Sequence, residues 1–420
     1  MTSYWKLGCI WGKNGANFTN ILLNHNIVMS QGKEMHVGDI VLLANGYKVF
    51  AIATLTKEPI PITDRPELET EVAGCKECFA EWNTIAESKI IVLDKAEQFN
   101  YQNQTGVCRI KDPDTLKKVI KLIESKRGNQ MVSEIAKYAL GAKNLVLSGA
   151  PGTGKTHLAK NVAATIMFNK LYSALNDSEK NQIGYVQFHP SYDYTDFVEG
   201  LRPIEVEKTI GFDRTDGVFK TYCKHAIKHA EMKFVFIIDE INRGEVSKIF
   251  GELFNAIEPG YRGTKGRIRT QYQNLLKNTD EFFPGFYVPE NVFIIGTMND
   301  IDRSVESMDF AFRRRFTWIE ITAAETQKAI LEELIDSNWK NLAKQRMDSL
   351  NNAIWDGKEG IEGLSPSYHI GAAYFLKLND LNGDFDKLWD YHLAPLLREY
   401  LRGMDDPESK FEKLKSAYFN

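Results

Sequence analysis

The chain has 420 residues, which is enough for two or three domains. Its hydrophobic share of 43% and charged share of 26% are ordinary for a soluble globular protein. The formal net charge of −4 gives no global basic field, so contact with nucleic acid must come from a local patch, base stacking or assembly. The first residues lack the features of a signal peptide, and apolar runs such as Phe234–Ile238 are too short to span a bilayer. We therefore expect a cytoplasmic protein with no membrane partner.

Five cysteines are scattered along the sequence. Cys75 and Cys78 are half of a zinc pattern, but no second close pair and no histidine pair completes it. Both a metal site and ordinary cytosolic thiols stay open, and the thiols are the commoner case. The odd number of cysteines argues against a disulfide framework.

The first part of the chain, residues 1 to about 110, is rich in strand-type sequence with short turns. Val37–Leu43 and Tyr47–Leu55, separated by Asn45-Gly46, predict a hairpin. Thr115–Lys126 then has apolar residues at helical spacing and predicts a connecting helix.

From Asn144 on, short apolar runs alternate with helical stretches, which predicts a parallel sheet with crossover helices and the α/β class. The predicted strands are Leu145–Ser148, Gly184–Phe188, Phe234–Asp239 and Val292–Thr297. After about Glu320 the strands stop, and helical spacing indicates a small helical domain. Helical spacing is found in Ala323–Ala353, Ile370–Leu378 and Leu388–Leu401. We divide the chain into a β-rich domain at 1–110, a helical connector at 111–143, an α/β core at 144–322 and a helical domain at 323–420.

A phosphate-binding loop follows the first strand of the α/β core. Gly149, Gly154, Lys155 and Thr156 fill the pattern G-x-x-x-x-G-K-[ST] between a strand and a helix. Glycines let backbone N–H groups converge on a phosphate, and the following helix adds the positive end of its dipole. Lys155 reaches the β- and γ-phosphates, and the Thr156 hydroxyl ligates Mg²⁺. The sequence therefore predicts a nucleoside triphosphate site. The residues expected to form it are Gly149, Ala150, Pro151, Gly152, Thr153, Gly154, Lys155, Thr156 and His157.

Two carboxylates end a later strand. The apolar run Phe234–Ile238 leads directly into Asp239 and Glu240, and a strand buried on both faces delivers such side chains where open α/β sheets bind ligands. Asp239 is expected to hold Mg²⁺ through water, and Glu240 to orient and deprotonate the attacking water. An Asp-Glu pair alone is usually a solvated strand end. Its place after the phosphate loop favours the catalytic interpretation.

A third strand ends near Asn299, whose amide at the tip of an adjacent strand is expected to bind the γ-phosphate or the lytic water. Further on, three consecutive arginines, Arg313, Arg314 and Arg315, stand beside aromatic residues. These arginines form either a solvated basic face or, in a ring assembly, arginine fingers that reach a neighbouring subunit's γ-phosphate.

At this point the sequence resembles a known family, the GTP-dependent motor subunit of McrBC-type modification-dependent restriction systems, within the AAA+ ring NTPases. The resemblance covers most of 140–400, and its motifs are specific in combination. Besides the phosphate loop, they are Phe188–Pro203, Asp216–Phe219, Ile238–Gly244, Val246–Leu253 and Met298–Ser304. Asp300 and Ile301 stand where the family has Thr and Ala, and Ala372 and Ala373 stand where its helical lid has His and Ser. The substrate therefore stays open between GTP, as the family implies, and ATP, as in most AAA+ relatives.

The resemblance also implies roles and partners. Asn242 and Arg243 would help set the catalytic geometry, and Arg315 is preferred as the trans finger, with Arg314 as the alternative. If each subunit supplies its arginine finger to the next subunit, head to tail, the subunits must form a closed ring, which is expected to be a hexamer. The family further implies a separate McrC-like nuclease subunit that stimulates hydrolysis and cuts DNA. With 140–400 assigned to the motor, no nuclease constellation is left in the sequence.

Near the start of the chain, Tyr4–Gly8, Trp11-Gly12 and Met35–Leu42 look similar to PUA-like domains of the EVE type. The resemblance implies a partly open β-barrel whose pocket captures a modified, flipped-out base between aromatic walls. Trp5, Trp11 and Trp82 are the candidate walls, and the alternative is that they are barrel core. The expected ligand is DNA bearing modified bases, with RNA as a second possibility.

Two rival functions remain. One is a MoxR-like AAA+ ATPase chaperone that remodels proteins, and the other is a binding module in which nucleotide only gates assembly. A further basic segment, Tyr261–Arg269, carries four cations and glycines that are expected to keep it mobile. It is either a contact to DNA or to a ring partner, or an exposed solvated loop, which is the commoner case.

Overall fold

The computed structural model describes residues 2–11, 16–30, 34–68, 82–102, 106–206, 209–301 and 310–420. The candidate zinc pair Cys75 and Cys78 lies outside these residues. The chain forms two units, Met1–Arg127 and Gly128–Asn420. Within the described part of the chain, no helix is both long and apolar enough to cross a membrane.

The first unit is β-rich, as predicted. Its strands are β1 (Tyr4–Gly8), β2 (Ile10–Trp11), β3 (Ala16–Asn17), β4 (Ile27–Ser30), β5 (Ile40–Asn45), β6 (Lys48–Leu55), β7 (Ile60–Pro61), β8 (Thr84–Val92), β9 (Phe99–Asn100) and β10 (Val107–Arg109), with helix α1 at Thr19–His25. The main sheet has the order β10–β1–β5–β6–β8–β4. The predicted hairpin is β5 and β6, but Asn45 pairs with Lys48, so the turn residues are Gly46 and Tyr47. Gly46 takes φ +62°, a value that favours glycine.

Two of the tryptophans predicted as pocket walls belong to the hydrophobic core of this unit. Trp82 keeps 3% of its surface exposed, and its ring packs edge-on against Phe18 with the centroids 6.3 Å apart. Trp5 is also buried, and its indole N–H donates to Asp39 Oδ2 at 3.0 Å. Both rings therefore lie in the hydrophobic core of this unit, which is the alternative that the sequence left open, and their part in a base pocket stays a prediction. The side chain of Trp11 lies outside the described residues.

A single long helix, α2 (Pro113–Ala142), follows the β-rich region. It contains the predicted helix and extends 16 residues beyond Lys126, the end predicted from spacing. In its first half, Val119 and Ile123 are buried in the core of the first unit. In its second half, Ile135 and Ala139 are buried in the core of the second unit.

The second unit is built on a parallel sheet. Its strands are β11 (Asn144–Ser148), β12 (Gly184–Gln187), β15 (Phe234–Asp239), β16 (Val292–Thr297) and β17 (Thr317–Glu320), and a separate antiparallel hairpin consists of β13 (Glu199–Val206) and β14 (Thr209–Asp216). The sheet order is β12–β15–β16–β11–β17 with every pair parallel. All four predicted strands are present. Because β16 lies between β11 and β15, the three strand ends that carry the predicted site are neighbours.

Helices cover this sheet and form a lid after it. They are α3 (Lys155–Phe168), α4 (Asp177–Asn181), α5 (Tyr194–Phe197), α6 (Val218–Lys228), α7 (Val246–Phe250), α8 (Leu253–Ala256), α9 (Phe310–Arg313), α10 (Ala323–Leu331), α11 (Ser337–Ile354), α12 (Phe385–Leu388), α13 (Ala394–Leu401) and α14 (Pro407–Phe419). The segment Ala372–Asn379, predicted from helical spacing, forms 3₁₀ turns. From α10 to α14 the elements share one hydrophobic core, which confirms the helical lid.

Candidate active site

The phosphate loop joins β11 to α3 through three glycines that take positive φ. The φ values are +144° at Gly149, +75° at Gly152 and +79° at Gly154. A Cβ on Gly149 would lie 2.3 Å from the carbonyl oxygen of Ile321. Other residues would therefore strain the loop, and the backbone can present its N–H groups to a ligand only with glycine here.

Lys155, the first residue of α3, is folded into this loop. Its Nζ donates to the carbonyl oxygens of Gly149 at 3.0 Å and Ala150 at 2.7 Å. Only 6% of the residue is exposed. The loop thus holds a positive charge at the place where the predicted phosphate chain would lie. His157, by contrast, faces solvent on α3.

Three hydroxyl groups donate hydrogen bonds to the Asp239 carboxylate. Thr156 Oγ1 donates to Asp239 Oδ1 at 2.8 Å, and Thr297 Oγ1 donates to the same oxygen. Tyr185 donates its hydroxyl to Oδ2 at 2.9 Å. Thr156 and Asp239, the two residues predicted to hold Mg²⁺, are therefore direct neighbours. Hard oxygen donors of this kind suit that ion.

Tyr185 and Thr297 were missed by the sequence analysis. Burial, followed by the hydrogen bond to Asp239, raises the pKa of Tyr185 to about 12, so Tyr185 stays a neutral donor at physiological pH. Thr297 is the last residue of β16, and its hydroxyl also accepts the N–H of Glu240 at 3.2 Å. Both residues could have been found from their positions on the strands that flank β15. Thr297 ends the strand next to β15, and Tyr185 lies on the strand at the other side of it.

Glu240 has an unusual backbone conformation for a residue with a side chain. Its φ of 51° and ψ of 47° are left-handed, and they turn the chain sharply after Asp239. Such non-glycine residues are uncommon and concentrate at functional sites. The Glu240 carboxylate forms an ion pair with the guanidinium of Arg243, three residues on. Arg243, which the family resemblance singles out, thus touches the predicted general base.

The segment after β16 lies against the phosphate loop. The N–H of Met298 donates to the carbonyl of Leu147 at 2.9 Å, and that of Asp300 donates to Gly149 at 3.3 Å. Asn242 donates its side-chain amide to the carbonyl of Asn299 at 3.2 Å. Asn242 therefore ties the candidate sensor to the turn that carries the two carboxylates. Arg303 and Ser304 lie outside the described residues.

Asp300 is one of the departures from the family pattern, and it lies in this site. Burial, together with the nearby charge of Glu320, raises the pKa of Asp300, while the charge of Lys155 opposes the shift. The carboxylate is thus close enough to Lys155 to sense its charge. A threonine, which the family has at this position, would carry no charge that could interact with Lys155.

The structure separates the arginines that the sequence could not tell apart. Arg315 is buried, its Nε lies 3.1 Å from Glu258 Oε2, and its carbonyl accepts the amide of Asn144 at 2.9 Å. Arg313 and Arg314 are exposed. Arg315 is thus part of the internal structure. Of the two candidate fingers, Arg314 therefore has the exposed side chain and Arg315 the buried one, and the choice of the finger stays a prediction.

The lid closes over the phosphate loop through backbone hydrogen bonds. The N–H of Gly371 donates to the carbonyl of Pro151 at 3.0 Å, and the N–H of Ala373 donates to that of Gly152 at 3.0 Å. A Cβ on Gly371 would lie 2.0 Å from the carbonyl carbon of Gly152. Ala372 and Ala373, where the family has polar residues, therefore lie at the lid–loop contact.

Gly371→Ala is expected to separate the lid from the phosphate loop and destabilise the second unit by about 1–3 kcal/mol, the usual cost of overpacking. Thermal unfolding and triphosphate titration would measure the change, and weaker nucleotide binding should accompany it. Gly141→Ala is the matched control, because Gly141 is helical and no described atom beyond its chain neighbours and its own helix backbone lies within 4 Å of the added Cβ. Equal stability and affinity in the two variants would contradict the lid–loop contact.

Comparison with known proteins agrees with this geometry. Residues 144–316 match the family model of the AAA domain (dynein-related subfamily), and residues 342–409 match that of the McrB alpha-helical lid domain. The second unit combines an AAA+ core with a McrB-type lid. Both matches lie within the unit that holds the phosphate loop, the two carboxylates and Asn299.

Two relatives come from restriction systems. The chain is 36% identical over 285 residues to the Type IV methyl-directed restriction enzyme EcoKMcrB subunit of Escherichia coli (strain K12), covering 66% of this chain and 57% of that protein. It is 24% identical over 265 residues to the Type II restriction enzyme BsuMI component YdiS of Bacillus subtilis (strain 168), covering 57% of this chain and 74% of that protein. The chain thus spans less than two thirds of the first relative's length.

Solved structures show weaker likeness. A putative ATPase from Cytophaga hutchinsonii is 13% identical with a TM-score of 0.27, over 63% of this chain and 66% of that one. NtrX from Brucella abortus is 13% identical with a TM-score of 0.28, over 69% of this chain and 68% of that one. Likeness at these scores adds nothing to the assignment.

Proposed function

We propose that the chain is a ring-forming nucleoside triphosphatase that acts as the DNA-recognition and motor subunit of a McrBC-like restriction system. One observation carries the proposal: the ends of β11, β15 and β16 lie side by side and bring Lys155, Asp239 and Asn299 to one edge of the sheet. A loop for phosphates, two carboxylates and an amide at one edge are the parts that triphosphate hydrolysis requires.

Each side chain then has a task that follows from its position. The loop N–H groups and Lys155 bind the phosphates, and Glu240, just after the strand end, orients the attacking water and accepts its proton. Arg243 and Asn242 are positioning residues, because they hold Glu240 and the carbonyl of Asn299. Thr156 and Asp239 would hold Mg²⁺, which would neutralise charge on the phosphate oxygens.

Hydrolysis is completed in trans in this proposal. Arg314, exposed at the end of α9, stabilises the charge that develops on the γ-phosphate of a neighbouring copy. A contact of this kind joins two different faces of the chain, so a closed ring, most simply a hexamer, satisfies every copy. GTP and ATP both fit, since the loop binds phosphates and not the base.

Side-by-side assays of GTP and ATP turnover in Mg²⁺ test the motor. Wild-type protein is expected to hydrolyse at least one of the two. Lys155→Ala should bind it at least about tenfold more weakly, because a hydrogen bond to a charged group contributes about 1.5–3 kcal/mol. Lys170→Ala is the control, since Lys170 is on the surface and pairs with Glu179. Turnover that is unchanged in Lys155→Ala would refute the assigned site.

The relatives support the restriction part of the proposal, because one of them is named as a subunit of a methyl-directed restriction enzyme. We propose that the β-rich first unit is the EVE-type reader of a modified base, in DNA or in RNA, and that a McrC-like nuclease is the partner. Filter binding with methylated and plain duplexes, with and without a non-hydrolysable triphosphate, should show preference for a modified duplex. Turnover without any duplex preference would point instead to a motor that remodels proteins.

A further inference from the structure

The exposed arginine of the proposed trans finger lies at the edge of a cavity that the sequence did not predict. The cavity has a volume of about 730 Å³, and Arg314 and Arg315 line it. Lys265 and Arg267, from the basic loop 261–269, also line it, and Glu258 is part of the wall. Its size is within the range of pockets that hold small ligands.

Charge in this cavity is unbalanced. Four cations face it, and Glu258 is the carboxylate among the residues that line it. Glu258 is already paired with Arg315 at 3.1 Å. Among the described residues, no ion pair within 4.0 Å involves Lys265, Arg267 or Arg314. Lys265, Arg267 and Arg314 therefore make this cavity suitable for a ligand with several negative charges.

The loop that carries Lys265 and Arg267 is fixed by its own backbone, although its glycines were expected to make it mobile. Gly263 takes φ +79° and donates its N–H to the carbonyl of Val288 at 2.9 Å. A Cβ on Gly266 would lie 1.7 Å from the carbonyl oxygen of Tyr261. These glycines allow close approach of the backbone, so the backbone that carries the two cations is ordered before any ligand binds.

A buried arginine connects this loop to the finger segment. Arg262, 1% exposed, donates to the carbonyls of Ile257 and Val292, both at 3.1 Å, and to the side-chain oxygen of Asn144. Asn144 in turn donates to the carbonyls of Ile257 at 2.8 Å and Arg315 at 2.9 Å. One buried network therefore links Arg262, in the basic loop, to the backbone of Arg315, the residue next to Arg314.

We propose that this cavity binds the phosphate chain of the nucleotide held by a second copy of the chain, with Lys265 and Arg267 as phosphate-contacting residues in addition to Arg314. The inference rests on the ring assembly of the proposed function. A concave, preorganised cavity next to Arg314 suits a compact triphosphate better than the extended backbone of a duplex. An arginine fork and a lysine ammonium are the groups that proteins use for phosphates.

The test uses the full-length double variant Lys265→Gln/Arg267→Gln. Its affinity for nucleotide at dilutions below assembly should equal that of the wild type, because its own phosphate loop is intact. Turnover per chain at concentrations that support assembly should fall at least tenfold. Lys277→Gln is the matched control, since Lys277 is an exposed cation from the same region that does not line the cavity.

A mixing experiment then asks whether the lost contact acts in trans. Copies with Lys155→Ala cannot use their own nucleotide but still present Lys265 and Arg267. Adding them to the double variant should restore turnover above the sum of the two proteins alone. Wild-type turnover in the double variant, or loss of duplex binding with turnover intact, would overturn the inference and leave the motor assignment standing. A wild-type chain that neither assembles nor hydrolyses would overturn both.

Discussion

Glu240→Gln is expected to lower triphosphate turnover about 10²–10⁴-fold, the range by which general acid–base groups accelerate reactions. Glutamine keeps the size of the side chain and its hydrogen-bonding ability, but it cannot accept a proton from water. Triphosphate affinity should stay close to that of the wild type, because Lys155 and the loop N–H groups are unchanged. Phosphate release and nucleotide titration on the same preparation would measure both quantities.

The matched control is Glu245→Gln, the same chemical change five residues later. Glu245 is exposed and pairs with Lys248 on the surface, where an ion pair contributes little. This control variant should therefore hydrolyse like the wild type. If Glu240→Gln kept comparable turnover, the proton acceptor would have to be sought elsewhere, and Asp300, which also lies against the phosphate loop, would be the next candidate.

The left-handed backbone of Glu240 gives this prediction a structural reason. Asp239 completes a fully buried strand, and the turn at Glu240 sends the next carboxylate away from the strand direction. Two adjacent carboxylates therefore take different partners, hydroxyl groups for Asp239 and a guanidinium for Glu240. This separation is what the proposed division of work between metal holding and proton transfer requires.

Much of the second unit was predictable because its central strands are unusually simple. Strands β15 and β16 are buried along their whole length, so each is a continuous apolar run that is recognisable without knowledge of its neighbours. Their polar ends then mark the edge of the sheet at which a ligand binds. The phosphate loop adds a pattern of fixed spacing, which leaves little freedom in how these residues can be arranged.

The elements that were missed have no such signal. β17 is a four-residue strand at the edge of the sheet, and none of its residues is fully buried. The hairpin of β13 and β14 exposes Ile210 and Phe212, with 81% and 67% of their surface, so its apolar residues do not mark a face that packs on a core. Tertiary packing decides both elements, and the same holds for Trp5 and Trp82, whose burial depends on distant strands.

The arginines show the same limit at the level of single side chains. Arg313, Arg314 and Arg315 are identical and consecutive, and the chain direction at the end of α9 decides which of them faces inward. Only Arg315 has a carboxylate, that of Glu258, within ion-pair distance among the described residues. Sequence reasoning identified the cluster, and the resemblance preferred Arg315, but which of the three side chains is buried depends on how the chain folds.

Arg314→Ala is therefore expected to lower turnover about 10³–10⁵-fold, the range attributed to arginine fingers, with no change in thermal unfolding. The Arg314 side chain is exposed, so its removal does not leave a buried carboxylate unpaired. Arg313→Ala is the matched control, because Arg313 is exposed on the same helix end and lies over the ring of Trp318, 4.9 Å from its centroid. That variant should keep near-normal turnover.

Arg315→Ala should behave differently, since it removes the partner of Glu258. The free energy of unfolding should fall by about 1.5–3 kcal/mol, the range for a hydrogen bond to a charged group. The Glu258 side chain keeps 32% exposure, which places the expected loss toward the lower end of that range. An Arg315→Ala protein of wild-type stability that lacked turnover would reverse the assignment and make Arg315 the finger.

Mixing Arg314→Ala with Lys155→Ala decides whether the arginine acts across a subunit boundary. Each protein alone should be inactive, the first because its copies lack the finger and the second because its copies lack the phosphate-binding lysine. In a mixed ring, a copy with intact Lys155 can sit beside a copy with intact Arg314, and such sites are complete. Turnover that reappears on mixing requires action in trans, because no single chain in the mixture carries both groups. If Arg314 served its own nucleotide, every site in the mixture would lack one of the two groups, and no activity would return at any ratio.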